Sequence, residues 1–181
     1  MTEFLQHLAN GLSVGTIYAL VALGYTMVYG VLKLINFAHG DVYMVGAFAG
    51  YYLATGLGVR DAPSVLKAFL VFAGAMAICG LLGAAIERFA YRPLRGRPRL
   101  TALITAIGVS FLLEYGFQLP RWGFMPFDFP PGPTPRFFPE PFERVDWTLA
   151  GVHVSNYDVV SFGVAVAFMV GLQLVVYRTR F

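Results

Sequence analysis

Five apolar stretches, at about 8–32, 42–57, 66–86, 100–119 and 157–177, constrain this chain more than any other feature, and the third carries no charge after Lys67. A hydrocarbon core of about 30 Å is crossed by roughly 20 helical residues, so stretches of this kind read as membrane spans; the second could begin as early as residue 34. Of all residues 57% are hydrophobic and 13% charged, and the mean hydropathy is +0.65, outside the balance of a water-soluble domain. In lipid every backbone polar group must be bonded within the protein, which leaves helices or a closed barrel. The runs lack the in/out alternation of barrel strands. The fold class expected is therefore an all-α integral membrane protein, a polytopic bundle of about five spanning helices in one domain over 1–181.

The N-terminus MTEFLQHLANG holds an acid and no Lys or Arg before the first apolar run, unlike a cleaved signal peptide, so the first run is expected to stay in the mature chain. Cys79, the only cysteine, has no partner for a disulfide or a thiolate metal site and reads as a small core residue. A net charge of +3 does not point to nucleic acid, because the basic residues flank apolar runs. Between the third and fourth runs ERFAYRPLRGRPR sets Arg88, Arg92, Arg95, Arg97 and Arg99 against Glu87 alone, and Arg178 and Arg180 follow the fifth. Positive residues beside span ends stay on the cytoplasmic side, so both places are expected inside. The connection between the fourth and fifth runs holds Arg121, Arg136 and Arg144 against Asp128, Glu140, Glu143 and Asp146, and is expected outside. Counting back puts the Arg60–Asp61 turn outside, Lys33 inside and the N-terminus outside, provided that 33–41 does not itself cross.

That outer connection, about 120–156, contains eight of the eleven prolines, which excludes a regular helix or central strand. Trp122, Trp147, Phe124, Phe127, Phe137 and Phe138 suit an interfacial anchor; a docking surface for an extracytoplasmic partner is the other reading. WTLAGVHVSN alternates around Ala150–Gly151 as a short hairpin would, with His153 exposed. Gly11 and Gly15, Gly46 and Gly50, and Gly80 with Ala84 recur at four-residue spacing, which lets helices approach closely in lipid, although glycine is also simply common in membrane helices.

The most informative stretch is LINFAHGD. Ionisable residues at membrane depth are costly and mark cavities or bundle interiors, yet Asn36, His39 and Asp41 fall within six residues. On an unbroken helix Asn36, His39, Gly40 and Tyr43 share a face and Asp41 points away. A broken helix near 36–41 resolves this: a stop at Gly40 and a restart with Asp41 as N-cap, its carboxylate accepting from the N–H of Tyr43 or Met44. Broken helices in transporters mark substrate pathways; a polar loop and cap at the cytoplasmic interface explains the same residues equally well. A His-x-Asp metal site lacks a third ligand, and Ser13 or Ser110 has no Gly-x-Ser-x-Gly elbow to make a nucleophile. No metal and no catalytic residue is expected. Glu114, late in the fourth run, is read as lying near the outer interface.

The stretch GLSVGTIYALVALGYTMVYGVLKLINFAHGDVYMVGAF, continued by RFAYRPLRGRP and LTALITAIGVSFLLE, closely resembles the start of the H-type (Liv) permease subunit of branched-chain amino acid ABC importers. The resemblance covers the first four runs well and the Pro/Phe-rich connection poorly, and returns at GVHVSNYD. It implies a multi-pass permease in the cell membrane of a bacterium or archaeon, paired with a second permease, two cytoplasmic ATPase subunits and an extracytoplasmic substrate-binding protein. It further implies that Asn36, His39, Gly40 and Asp41 belong to the translocation pathway or gate. Members of this family continue past a segment like YRTRF into a coupling helix and more spans, so with a last residue at Phe181 an incomplete permease is expected. No phosphate-binding G-x-x-x-x-G-K-[ST] occurs; no cofactor and no enzymatic activity are expected in this chain, and ATP would be hydrolysed on partners. The alternative is a secondary transporter or channel subunit, which would need several intramembrane acids where only Asp41 and Glu114 qualify. An intramembrane enzyme and a purely structural membrane subunit complete the alternatives.

Overall fold

A computed structural model describes residues 2–32, 36–116, 137–140, 142–149 and 151–178. The expectations for Trp122, Phe124 and Phe127 lie outside these residues. Five helices, α1 (Thr2–Leu32), α2 (His39–Gly56), α3 (Val65–Ile86), α4 (Arg99–Gly116) and α5 (Asn156–Arg178), and two strands, β1 (Asp146–Leu149) and β2 (Val152–Ser155), make up the regular structure. The stretches Thr2–Gly30, Val65–Leu94 and Asn156–Val175 are long and apolar enough to cross a membrane, and Leu100–Gly116 is a shorter apolar helix. At 18 residues, α2 rises about 27 Å and gives up leucines for Gly46, Gly50, Tyr43, Tyr51 and Tyr52. The chain forms two compact units, Met1–Leu32 with Arg144–Phe181, and Lys33–Glu143.

In the first unit α1 has 31 residues, a rise of about 46 Å against a core of about 30 Å, and its polar first turns reach a β-hairpin. The strands pair antiparallel with Thr148 opposite His153, and Gly151 turns the chain at a φ of +81°, where side chains other than glycine are strained. A Cβ there would also come within 3.1 Å of Thr2 Cγ2. Gln6 of α1 closes the free edge: its Oε1 accepts from the His153 N–H at 2.6 Å, and its Nε2 donates to the His153 carbonyl at 3.0 Å. The side-chain amide thus does for His153 what a third strand would, meeting the need of an edge for partners. The chain then enters α5 through a capping box: Ser155 Oγ accepts from the Tyr157 N–H at 3.1 Å, and Asp158 Oδ2 accepts from the Ser155 N–H at 2.9 Å.

In the second unit α2 and α3 form a helical hairpin. Helix α2 ends in a Schellman motif: Gly58, at φ +60°, donates to the Thr55 carbonyl at 3.1 Å, and Val59 donates to the Ala54 carbonyl at 3.0 Å. Val59, wholly buried, packs with Ala54 and Val71. Lys67, the one charge in its run, donates to the Gly58 carbonyl at 3.0 Å, so its ammonium closes the turn and does not face lipid.

Small residues on each helix receive large ones from the other. A Cβ on Gly46 would stand 2.7 Å from Cys79 Sγ, and one on Gly74 would stand 2.7 Å from Leu53 Cδ1, closer than real atoms approach. Gly50 lies against Val71 and Phe138 at van der Waals distance, whereas Cβ atoms at Gly11, Gly15 and Gly80 would meet nothing within 4 Å. Outward, Phe69 and Leu81 are exposed as lipid-facing residues are. Hydroxyls within the helices bond back to their own turns, Thr16 to Leu12 O, Thr55 to Tyr51 O and Thr105 to Thr101 O, which satisfies them without water.

Beyond Ile86 the α3 helix continues as a π-turn, Glu87–Tyr91, and a 3₁₀ turn, Arg92–Leu94. Pro93 has no N–H to offer the preceding turn, and Gly96 at φ +88° redirects the chain into α4.

The contrast between glycines is testable by thermal unfolding in detergent. Gly46→Ala is expected to destabilise the chain by about 1–3 kcal/mol relative to Gly15→Ala, and adding Cys79→Ala should recover most of that loss. Equal midpoints for the two glycine variants would contradict the packing.

Candidate functional site

The polar cluster sits where α2 begins, and the break lies upstream of the predicted position. Helix α2 starts at His39 with Ala38 as N-cap, at φ −71° and ψ −1° and with no side-chain cap. Asp41 is therefore not the N-cap. It occupies the first turn of α2, where a carboxylate interacts favourably with the helix dipole, and Gly40 is helical.

The residue that organises the break is Asn36. Its Oδ1 accepts from the Ala38 N–H at 3.1 Å, an Asx turn of the kind that competes with helix. Its carbonyl accepts from the His39 N–H at 3.2 Å, and the Ala38 carbonyl accepts from the Val42 N–H at 3.0 Å. Ala38 is fully buried, a size limit that fits a position between two turns.

Asn36 is also held from across the hairpin. The Tyr91 hydroxyl donates to Asn36 Oδ1 at 2.6 Å, so one amide oxygen takes a local and a long-range donor. Tyr91 is the last residue of the π-turn after α3, and the contact fixes the start of α2 beside the end of α3. Further along the same pair, Cys79 Sγ donates weakly to the Val42 carbonyl at 3.5 Å. His39 and Asp41 are half-buried and Gly40 exposed; His39 and Tyr43 share a face of α2, four residues apart, while Asn36 stands off the helix.

Sequence reasoning missed Tyr91. It lies 55 residues from Asn36, and no periodicity joins them; only folding α2 and α3 about the Gly58 turn brings their far ends level. The arginine cluster occupies this same end of the hairpin. Arg88 is in the π-turn, Arg92 opens the 3₁₀ turn, Arg95 and Arg97 follow, and Arg99 begins α4. Arg95 pairs with Glu87 Oε1 at 2.5 Å, both exposed enough for solvent to weaken the pair.

At the opposite end of this unit a cavity of about 720 Å³ is lined by Tyr51 and Thr55 of α2, Arg60 and Asp61 of the turn, and Phe138 and Glu140 of the connection between α4 and β1, among others. Among the described residues no three His, Cys, Asp or Glu side chains gather as metal ligands would.

A polytopic helical membrane chain with a helix break pinned across a hairpin is the class these features define. Residues 7–181 match the family of permease components of branched-chain amino acid transport systems, and the chain belongs to that family. It is a multi-pass protein of the cell membrane. It is 40% identical over 179 residues to the high-affinity branched-chain amino acid transport system permease BraD of Pseudomonas aeruginosa, covering 98% of this chain and 56% of that protein. It is 48% identical over 113 residues to the corresponding LivH permease of Escherichia coli K12, and 47% identical over 112 residues to that of Salmonella typhimurium. Each of these covers 61% of this chain and 36% of the relative. The chain thus spans about half the length of the first relative and about a third of the others. No solved structure matches it.

The Asn36–Tyr91 tie should appear in a double-mutant cycle read by thermal unfolding. Tyr91→Phe and Asn36→Ala are expected to be non-additive by about 1 kcal/mol, because either one alone removes the shared bond. Additive losses would mean that the two residues act independently.

Proposed function

We propose that this chain builds part of the pathway by which branched-chain or related amino acids enter the cell, in an ABC importer with a second permease, two cytoplasmic ATPase subunits and an extracytoplasmic binding protein. ATP hydrolysis belongs to the ATPases. In this reading the arginine-bearing end faces the cytoplasm and the Gly58 turn faces outward. Asn36, His39, Gly40 and Asp41 stand at the inner gate.

The observation that carries the gate assignment is the bond from Tyr91 to Asn36 Oδ1. A helix start held by one long-range side-chain bond and a short Asx turn could be released by the loss of that bond alone, and alternating access requires an element with two such arrangements. Releasing it exposes the first N–H groups of α2 together with His39 and Asp41, polar groups that suit a zwitterion in transit. The outer cavity beside Arg60, Asp61 and Glu140 offers charges of both signs at the opposite mouth, where a binding protein would deliver its cargo.

The test is affinity purification of the tagged gene product from its native membrane in mild detergent, with mass spectrometry of what accompanies it and uptake of radiolabelled leucine in the same cells. A second permease and ATPases are expected to co-purify. Tyr91→Phe is expected to change the maximal uptake rate several-fold while leaving assembly intact. Recovery of this chain without ATPases would contradict the importer reading; normal uptake by both Tyr91→Phe and Asn36→Ala would contradict the gate.

A further inference from the structure

The turn after α3 carries more positive charge than its own acids absorb. Glu87 is occupied by Arg95 at 2.5 Å, and Arg88, Arg92 and Arg97, all exposed, have no acidic partner among the described residues. Their placement is unusual for a solvated loop. Arg88 and Arg92 fall within the continuous stretch Val65–Leu94 that is long and apolar enough to cross a membrane, and Phe89 between them is 77% exposed. In a π-turn the backbone bonds run from i to i+5, so residues 88 and 92, four apart, stand nearly one above the other along the axis. Two arginines flanking an exposed phenyl ring at the end of an apolar stretch have the composition of a headgroup-level boundary, where apolar bodies sit in acyl chains and charged tips reach the polar layer.

We propose, on the orientation proposed above, that Arg88 and Arg92 form a docking site for the phosphate of an anionic phospholipid of the cytoplasmic leaflet, with Phe89 seated among its acyl chains. Guanidinium forks suit phosphate oxygens in a bidentate manner, and basic clusters just cytoplasmic of a span concentrate anionic lipid. A protein partner is the less favoured occupant, because an acidic surface would have to displace lipid from Phe89 to reach Arg88. The site is coupled to the helix break through the chain itself: Tyr91, whose hydroxyl holds Asn36, lies between Arg88 and Arg92. Lipid that steadies this turn therefore also steadies the start of α2.

The chain is reconstituted in nanodiscs of equal parts phosphatidylglycerol and phosphatidylcholine, and the lipid retained after release into detergent is counted by native mass spectrometry. Wild-type chain is expected to retain phosphatidylglycerol in preference. Arg88→Gln and Arg92→Gln, each leaving the remaining arginines of the cluster to hold the topology, should each weaken that preference about fivefold, whereas Arg88→Lys should keep most of it. Arg144→Gln, at the outer hairpin beside Asp146, is the control and should change nothing. An unchanged lipid ratio in both glutamine variants would overturn the proposal. So would an unchanged ratio accompanied by loss of ATPase co-purification, which would assign the arginines to a protein interface; that readout is separate from the lipid count, so the importer reading stands or falls independently.

Discussion

The close approach of α2 to α3 is the constraint from which the rest of the second unit follows. In lipid, helices gain nothing from excluding water, so their association depends on how nearly their backbones approach. Gly46 makes room for Cys79, and Gly74 makes room for Leu53, and a further carbon at either place would force the facing side chain to shift. Two such fits, one on each helix, fix both the rotation and the register of the pair. Once register is fixed, the ends are fixed: the Gly58 turn closes one end, and Asn36 meets Tyr91 at the other. The helix break thereby inherits its position from packing in the middle of the hairpin.

Several element ends among the described residues are finished by polar devices of different kinds, for one physical reason. Unpaired backbone groups cost several kcal/mol where no water reaches, so a helix cannot simply fray. Helix α2 begins with an Asx turn and ends with a Schellman motif reinforced by Lys67; α5 begins with a Ser155–Asp158 capping box; and the free edge of β2 is closed by Gln6. Two of these draw on residues distant in sequence, Gln6 at the strand edge and Tyr91 at the start of α2. At the start of α2 the distant donor shares its acceptor with the local turn, so this helix start depends on where the end of α3 lies.

Much of this was legible in the sequence, for identifiable reasons. Apolar runs gave the helices within a few residues, and alternation around Gly151 gave the hairpin with its strands as observed. The first six residues of α1 fall outside the apolar run because Gln6 and His7 break its pattern, and the bonds from Gln6 to His153 leave no local trace in the sequence. Asp41 was misread as the N-cap because an acid after glycine matches the capping preference, while an asparagine two residues before Ala38 offers an equally good local acceptor. Propensity does not choose between them; the Tyr91 hydroxyl does, and a contact 55 residues away leaves no local trace. The glycine spacing in α1 and α2 looked alike, yet Gly46 is packed and Gly11 and Gly15 are open within this chain, a difference set by which helix lies alongside.

Cysteine cross-linking in membranes tests the hairpin most directly. Gly46→Cys is expected to form a disulfide with native Cys79, and in a separate variant with Cys79→Ala, Asn36→Cys and Tyr91→Cys are expected to be bridged by a short bifunctional thiol reagent, because the tyrosine ring that spans the gap to Asn36 keeps the two backbones beyond direct disulfide reach. Efficient linkage at Gly46 with none at 36 and 91 would show that the hairpin register holds while the tie does not, and would contradict the claim that packing in the middle of α2 and α3 positions the helix break.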